Sequence, residues 1–221
     1  MDNASRSERS RNVALDAALV IIARDGPGRL TLDAIARESG LSKGGVMHQF
    51  RTKEGVLKAL LERQMAHFAE FSTAFRAKVR ATSANPELAT EIATVREAAN
   101  TPNSAALALL AAMVESPDLM ALPRDSELKA IAAIRAEAAD PDLAMLRWAA
   151  ARGLMLGALF GLSPIGRPER DQLFARLLDD SQWSALEKPA KPRTENKPRT
   201  VNKPRAVKAA AAAKTKARKR A

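Results

Sequence analysis

The stretch Thr31–Phe50 constrains the fold of this chain more than any other. Its apolar residues recur at helical spacing, first in Leu32, Ile35 and Ala36 and then in Val46 and Phe50. Gly40 stands where the first helix must end, because a residue in the left-handed region costs least when it is glycine. Ser42 is a favourable N-cap for a second helix. The pattern predicts two short helices joined by a tight turn.

The chain around this stretch predicts an all-α fold. Glycine and proline interrupt a sequence rich in alanine and leucine, and no segment alternates polar and apolar residues as a strand would. A first helix is expected from about residue 7 to residue 24. Thr31, Ser42 and Thr52 are expected to cap the second, third and fourth helices. This gives a three-helix head with a helix-turn-helix, the arrangement that places a helix in the DNA major groove.

Charge is distributed very unevenly along the sequence. Residues 187–221 contain 13 Lys and Arg but only 2 Asp and Glu, so this segment carries +11, as does the whole chain of 221 residues. Residues 1–186 are therefore neutral overall. We expect three parts: a DNA-binding domain over 1–55, a helical ligand-binding and dimerisation domain over 56–186, and a disordered basic tail over 187–221.

Composition argues against several classes of protein. There is no cysteine or tyrosine and there are only two histidines, and no nucleophile–base pair, metal-ligand spacing or phosphate loop stands out. We therefore expect no enzymatic activity, no metal and no cofactor. The polar start lacks a hydrophobic signal region, and no apolar run reaches the roughly 20 residues of a membrane span. A cytoplasmic, nucleoid-associated location without membrane contact is expected.

The N-terminal segment resembles the DNA-binding domain of the tetracycline-repressor (TetR) family of bacterial regulators. The resemblance covers roughly residues 8–61 and rests on the order and spacing of several short motifs. These are Val13–Ala18, Gly26, Thr31–Ala36, Gly40–Gly44, His48, Phe50, and Lys53 with Glu54. It implies a homodimeric, ligand-responsive regulator, most simply a repressor, that binds a near-palindromic operator in double-stranded DNA.

The resemblance also implies which residues contact DNA: Thr31, Ser42, Lys43, Gly44, Gly45, Met47, His48 and Lys53. Lys43 can reach a guanine edge or a phosphate, with a solvated lysine as the alternative. The resemblance favours a phosphate contact for His48, with a structural role as the alternative. Thr31 and Lys53 lie at helix starts, which can offer N–H groups to phosphate, although Thr31 could serve only as a cap. Met47 replaces the tyrosine usual in the family.

Two adjacent glycines early in the third helix have two interpretations. Each costs about 1 kcal/mol relative to alanine, so close approach of another group is expected. That group is either DNA or the first or second helix of the same subunit. We favour DNA for Gly45 and packing within the subunit for Gly44.

In the second domain the family architecture implies a ligand pocket and a dimer interface formed by the last two long helices, about 141–162 and 168–186. Five aromatic and methionine side chains could line a pocket for a small apolar or amphipathic ligand. They are Phe68, Phe71, Met113, Trp148 and Met155. Ordinary helix packing is the alternative for each of them. Gly153, Gly157 and Gly161 recur every four residues, which favours a helix that packs closely against its copy in a dimer. Close packing inside one subunit is the alternative.

The tail contains three tandem six-residue repeats that begin Lys-Pro-Arg. Their cations suit sequence-independent neutralisation of DNA phosphates, and they are Lys191, Arg193, Lys197, Arg199, Lys203 and Arg205. RNA, an acidic surface or a role in solubility are the other interpretations. The tail also gives the second hypothesis for the whole chain, a nucleoid-associated architectural protein with little sequence preference.

Overall fold

The computed structural model describes residues 3–100 and 117–188, together with positions 108, 111 and 114; the side chains of residues 3, 120 and 122 are outside this description. Within these ranges the chain forms α-helices and short 3-10 turns, and no β-strand, so the all-α prediction is confirmed. The helices are α1 (Asn3–Asp25), α2 (Leu32–Ser39), α3 (Lys43–Gln49), α4 (Lys53–Val79), α5 (Pro86–Ala99), α6 (Ala121–Glu137), α7 (Pro141–Leu159) and α8 (Arg167–Leu178). The repeats of the tail lie outside the described residues.

The head is built on one apolar cluster to which α1, α2, α3 and the first turns of α4 contribute. Its largest fully buried members come from all four helices and the loop before α2, and they are Ile21, Ile22, Leu30, Ile35, Val46, Val56 and Leu57. Phe50 closes this cluster with only 3 % of its surface exposed. Ala108 and Ala111 pack against the same cluster. Because α4 starts inside the head core, this helix connects the head directly to the body.

The helices of the body run alternately away from the head and back toward it. α4 leads away, and α5 returns along it, since Arg76 near the end of α4 pairs with Glu87 at the start of α5 at 3.0 Å. α6 ends at this far side, where the Glu137 carboxylate accepts hydrogen bonds from the N–H groups of Glu87 (3.0 Å) and Leu88 (2.9 Å). These bonds satisfy donors that a helix start leaves unpaired.

A polar hub joins α7 and α8 to the turn between α4 and α5. Arg147 is a buried arginine, 3 % exposed. Its guanidinium donates to the backbone carbonyl of Leu177 at 2.7 Å and to Asp180 Oδ1 at 2.9 Å, and it lies over the ring of Trp183. The other oxygen of Asp180 accepts from the Ser83 hydroxyl at 2.8 Å. Burial alone would raise the pKa of Asp180, but the hydrogen bonds from Ser83 and Arg147 outweigh it and leave the pKa lowered.

Some boundaries differ from the sequence-based expectations. α1 begins about one turn earlier than expected, at Asn3. The last helix ends at Leu178, where Asp179 adopts an extended conformation and two 3-10 turns follow. None of the helices in the described ranges combines the length and apolar character that crossing a membrane requires.

Candidate nucleic-acid interface

The helices α2, α3 and α4 each begin at a hydroxyl residue that caps them as the sequence predicts. The side-chain oxygen of Thr31 accepts from the N–H of Ala34 at 3.0 Å. Ser42 does the same for Gly45 at 3.0 Å, and Thr52 for Gly55 at 3.1 Å. Each cap replaces a hydrogen bond that the helix start lacks. Gly40 ends α2 with φ +70°, in the left-handed region that favours glycine.

α3 presents a clear division between a buried and an exposed side. Val46 is fully buried in the head core, and Phe50 follows it on the same side. Lys43, Gly44, Met47 and His48 are exposed, and Met47 retains 48 % of its accessible surface. The exposed side of α3 is free to enter a groove of DNA. The buried side, through Val46 and Phe50, fixes the orientation of the helix in the head.

Lys43 is the cation at the start of α3, and it is already paired. Its ammonium lies 2.9 Å from Asp33 in the first turn of α2, and both side chains are more than half exposed. An exposed pair of this kind contributes at most about 1 kcal/mol. A DNA phosphate or guanine can therefore compete for Lys43 at modest cost, and the pair brings the starts of α2 and α3 side by side.

The two glycines of α3 lie in different surroundings, and those of Gly44 contradict the packing that was favoured for it. Nothing outside the local helix lies within 4 Å of the position that a Cβ of Gly44 would occupy, so Gly44 does not pack against α1 or α2 and that interpretation is wrong. A Cβ at Gly45 would lie 3.2 Å from the hydroxyl of the capping Ser42. Gly45 thus leaves room for the cap, and Gly44 leaves backbone open to an approaching group.

Two contacts that hold α3 in place were missed by the sequence analysis. The Gln49 side-chain amide donates to the Ser7 hydroxyl at 2.9 Å and to the Ser7 carbonyl at 3.3 Å, which ties the end of α3 to the first turns of α1. The Arg11 guanidinium lies 4.9 Å from the centre of the Phe50 ring. Neither contact has a local sequence signal, because the partners are about 40 residues apart in the chain.

The head has little net charge to attract DNA. Residues 1–55 contain nine Lys and Arg against seven Asp and Glu, a net charge of +2. Several of these charges neutralise one another; Arg24 pairs with Asp25 and with Glu38, each at 3.0 Å. At the start of α4, the backbone N–H of Glu54 and the Thr52 hydroxyl lower the pKa of the Glu54 carboxyl. Individual contacts to phosphates and bases must therefore supply much of the DNA affinity that a strongly basic surface supplies in other DNA-binding proteins.

Three of the five residues expected at a ligand pocket lie in or against the body core. Met155 is buried, and Phe68 and Trp148 pack half-buried against the body cluster. Phe71 is half-buried and stacks on Phe75 with ring centres 6.0 Å apart. Met113 lies outside the described residues.

The three glycines expected to form one dimer face do not share a helix, and this prediction is corrected. Gly161 lies beyond the end of α7 with φ +62°, in a turn in which the N–H of Leu162 donates to the Gly157 carbonyl at 2.9 Å. At Gly157 a Cβ would come within 2.8 Å of the Ser163 Cβ, so the small residue allows this turn to fold back within one subunit. Gly153 is exposed, with open space at its Cβ position.

Comparison with known proteins agrees with this geometry. Residues 14–60 match the model for bacterial regulatory proteins of the tetR family, and residues 74–182 match the model for the tetracyclin repressor-like C-terminal domain. The chain belongs to the TetR family. The first match covers the helix-turn-helix, so the resemblance seen in the N-terminal motifs is confirmed. The second match covers most of the body and confirms the second domain that the family architecture implied.

One relative is similar to this chain in sequence over a short segment, and two solved structures are similar to most of it in fold. The HTH-type transcriptional regulator SrpR of Pseudomonas putida is 40 % identical over 58 residues, which are 26 % of this chain and 27 % of that protein. A transcriptional regulator from Rhodococcus sp. Rha1 has a TM-score of 0.60 at 17 % identity, covering 76 % of this chain and 93 % of that one. A regulator from Saccharomonospora viridis in complex with choline has a TM-score of 0.57 at 19 % identity, covering 80 % and 97 %. These two structures share the fold of this TetR-family chain.

Proposed function

We propose that this TetR-family chain is a sequence-specific transcriptional repressor that acts as a homodimer, with one α3 per subunit in successive major grooves of a near-palindromic operator. The observation that carries the proposal is the exposed face of α3, held by a buried Val46 and by the cap at Ser42. Half-sites about one helical turn of DNA apart, or somewhat more, suit two such heads related by a two-fold axis. This function places the protein in the cytoplasm, with the DNA.

Individual roles follow from position and chemistry. Lys43 leaves Asp33 and contacts a guanine edge or a phosphate. Thr31 and Ser42, already engaged as caps, and Lys53 at the start of α4, present helix N-terminal N–H groups to the DNA backbone. Gly44 and Gly45 permit close approach of the α3 backbone. Met47 and His48 face the DNA from the second turn, with Met47 providing an apolar contact in place of a phosphate bond.

The test compares binding to DNA from the upstream region of the gene itself with binding to random DNA at physiological salt. We expect a clear preference for the upstream DNA, and we expect Lys43→Ala to weaken specific binding by about 1–3 kcal/mol, roughly 5- to 150-fold. Lys58→Ala, an exposed lysine on α4 in a surface pair with Glu62, is the matched control and should leave binding unchanged. Equal affinity of the wild-type protein for both DNAs would refute the proposal.

An exposed apolar stripe on α7 supports the homodimer. Leu146 and Leu156 retain 67 % and 43 % of their accessible surface, and Ala149, Ala150 and Gly153 are exposed between them. Residues at these spacings share one side of a helix. Such a stripe is costly in water and suits a symmetric contact with the same stripe of a second copy.

Oligomeric state tests this surface directly. Leu146→Glu should shift the protein toward monomers in light scattering coupled to gel filtration. Leu128→Glu is the matched control, because Leu128 on α6 is similarly exposed at 58 %. A Leu146→Glu variant as dimeric as the control would exclude this side of α7 from the interface.

A small apolar or amphipathic ligand in the body is the third part of the proposal. The S. viridis relative was solved with choline, and in this chain Trp148 and the half-buried aromatic residues of α4 provide suitable surface. A ligand shifts DNA binding only by its different affinity for the two states of the protein.

Tryptophan fluorescence tests for the ligand. In a Trp183→Phe background, a bound ligand should change the emission of Trp148 and alter affinity for upstream DNA in the same concentration range. A ligand that changes emission without changing DNA affinity would argue against ligand-responsive repression.

A further inference from the structure

The start of α2 places a carboxylate beside the exposed side of α3. Asp33 lies in the first turn of α2, and its Oδ1 is 2.9 Å from the ammonium of Lys43 in the first turn of α3. The Asp33 side chain retains 54 % of its accessible surface, and the Lys43 side chain retains 65 %. Asp33 is not among the residues for which the family resemblance implies a DNA contact, yet it touches one that is.

The two carboxylates of α2 have different surroundings. Glu38 is turned toward α1, where it pairs with Arg24 at 3.0 Å and its side chain is 28 % exposed. Asp33 is turned toward α3 and is more exposed. It is not the cap of the helix, because the Thr31 hydroxyl accepts from the N–H of Ala34. Asp33 is therefore available to a partner outside the protein.

Bound DNA would make an unpaired Asp33 unfavourable. Duplex DNA carries about one negative charge per 1.7 Å of its length, and residues 1–55 oppose it with a net charge of only +2. When Lys43 turns to a phosphate or a guanine edge, Asp33 faces these charges without its cation. An ionised carboxylate can only accept hydrogen bonds. Asp33 is thus compatible with a DNA sequence only where a base offers it a donor.

The pair of side chains also limits which bases Asp33 can reach. The first residues of a recognition helix contact base edges in the major groove. An acceptor on DNA meets the Lys43 ammonium at about 2.9 Å, and Asp33 lies 2.9 Å from the same ammonium. The carboxylate is then within about 6 Å of the first DNA group that Lys43 meets. One or two base-pair steps of about 3.4 Å cover this distance.

The donors in the major groove narrow the choice further. They are the amino groups of cytosine, at N4, and of adenine, at N6. The adenine amino group lies beside the acceptor N7, which repels a carboxylate, whereas cytosine presents its amino group without an acceptor next to it. Guanine and thymine present acceptors to the groove. An aspartate at this position therefore favours cytosine.

We propose that Asp33 determines part of the operator sequence by accepting a hydrogen bond from a cytosine amino group, at a C·G pair about one or two steps from the group that Lys43 contacts. In the free protein Lys43 neutralises this carboxylate. On a DNA sequence that lacks the cytosine, Asp33 has no donor and repels the duplex. The inference rests on the proposed function, because it requires α3 in the major groove of an operator.

Base preference, measured at one operator position at a time, tests this role. The binding site of the full-length protein in the upstream DNA is located by footprinting. Each base pair of one half-site is then replaced by the other three, and the Kd values are measured by fluorescence anisotropy. Replacing one C·G pair should weaken binding of the wild type about 5- to 150-fold and that of Asp33→Ala less than about 2-fold. Asp33→Asn should prefer adenine at the same position, since an amide pairs with N6 and N7.

Two further variants separate base recognition from other effects of the charge. Glu38→Ala removes the other carboxylate of α2 and should keep the preference of the wild type at every position. In a Lys43→Ala background, Asp33→Ala should still abolish the preference for the C·G pair. An aspartate that only orients Lys43 would have no effect in that background.

Three outcomes would overturn the role of Asp33. Asp33→Ala could keep the preference of the wild type at every operator position. It could instead weaken binding to all duplexes by the same factor, random DNA included, which would make Asp33 a structural residue of α2. The effect of Asp33→Ala could also vanish in the Lys43→Ala background, which would make Asp33 a positioning residue for Lys43. The proposed function fails separately, if the wild-type protein binds upstream and random DNA equally.

Discussion

The head and the body of this protein are both helical, but different kinds of interaction hold them together. In the head, each short helix begins at its own hydroxyl cap and turns an apolar side to a single aliphatic cluster. In the body, a buried arginine and an aspartate join elements that are 30 to 97 residues apart in sequence. The head is thus specified largely by local sequence, whereas the body depends on long-range polar contacts.

This difference has a physical consequence for tolerance to mutation. A hydroxyl cap contributes about 1 kcal/mol, and loss of one cap leaves the other helices intact. A buried charge that loses its partner costs several kcal/mol, because no water replaces the lost hydrogen bonds. Single polar substitutions should therefore destabilise the body more than the head.

The largest expected effect is on the polar hub. Arg147→Ala should lower the free energy of unfolding by about 3–5 kcal/mol, because it removes the guanidinium that donates to Asp180 Oδ1 and to the Leu177 carbonyl. Arg135→Ala, an exposed arginine on α6, should change it by no more than about 0.5 kcal/mol. Urea denaturation followed by circular dichroism measures both. If Arg147→Ala costs less than 1 kcal/mol, the contrast between body and head does not hold.

Two glycine substitutions, one in the body and one in the head, should have effects of intermediate size on stability and of opposite sign. Gly157→Ala should destabilise the body by about 1–3 kcal/mol, since the added Cβ would lie 2.8 Å from the Ser163 Cβ. Gly44→Ala, in open space on α3, should stabilise the head by about 0.5–1 kcal/mol and weaken DNA binding if the backbone approaches DNA there.

Thermal unfolding and a double-mutant cycle check the close contact in the body. Ser163→Gly in the Gly157→Ala background should recover part of the loss, because it removes the atom that the new methyl group meets. Additive effects of the two substitutions would show that Ser163 is not the cause.

The smallest effect concerns a half-buried carboxyl in the body. Burial raises the pKa of Glu91 above its usual 4.5, although Arg76 and Arg152 oppose the shift. Because the unfolded chain ionises Glu91 at lower pH than the folded protein does, this group destabilises the fold as the pH rises above 4.5. Glu91→Gln should therefore be more stable than the wild type at pH 7.

The pH dependence of this gain is the decisive measurement. The advantage of Glu91→Gln in melting temperature should shrink as the pH falls through and below 4.5, where Glu91 is protonated in both states. Exposed Glu70→Gln on α4 is the control and should show little change with pH. A gain that grows as the pH falls would contradict the assignment.

The predictions that succeeded and failed follow the same division. The caps at Thr31, Ser42 and Thr52 and the left-handed Gly40 could be recognised because each depends on residues within a few positions. The hub at Arg147 could not, because its partners become neighbours only when α7, α8 and the turn after α4 have packed together. Gly161 was misplaced for a related reason: four-residue spacing indicates a helix face but does not show where the helix ends.

α4 connects the head core to the polar hub of the body, so a tilt of this helix at one end moves whatever is attached to the other end. Its first turns are part of the head core, and the turn after its last residue is bonded through Asp180 to Arg147 on α7. Over about 40 Å, a tilt of about one degree around the anchored end displaces the other end by about 0.7 Å. A slight repacking beside the hub is thus magnified at α3. In the homodimer proposed above, the spacing between the two heads is therefore most sensitive to changes beside this hub.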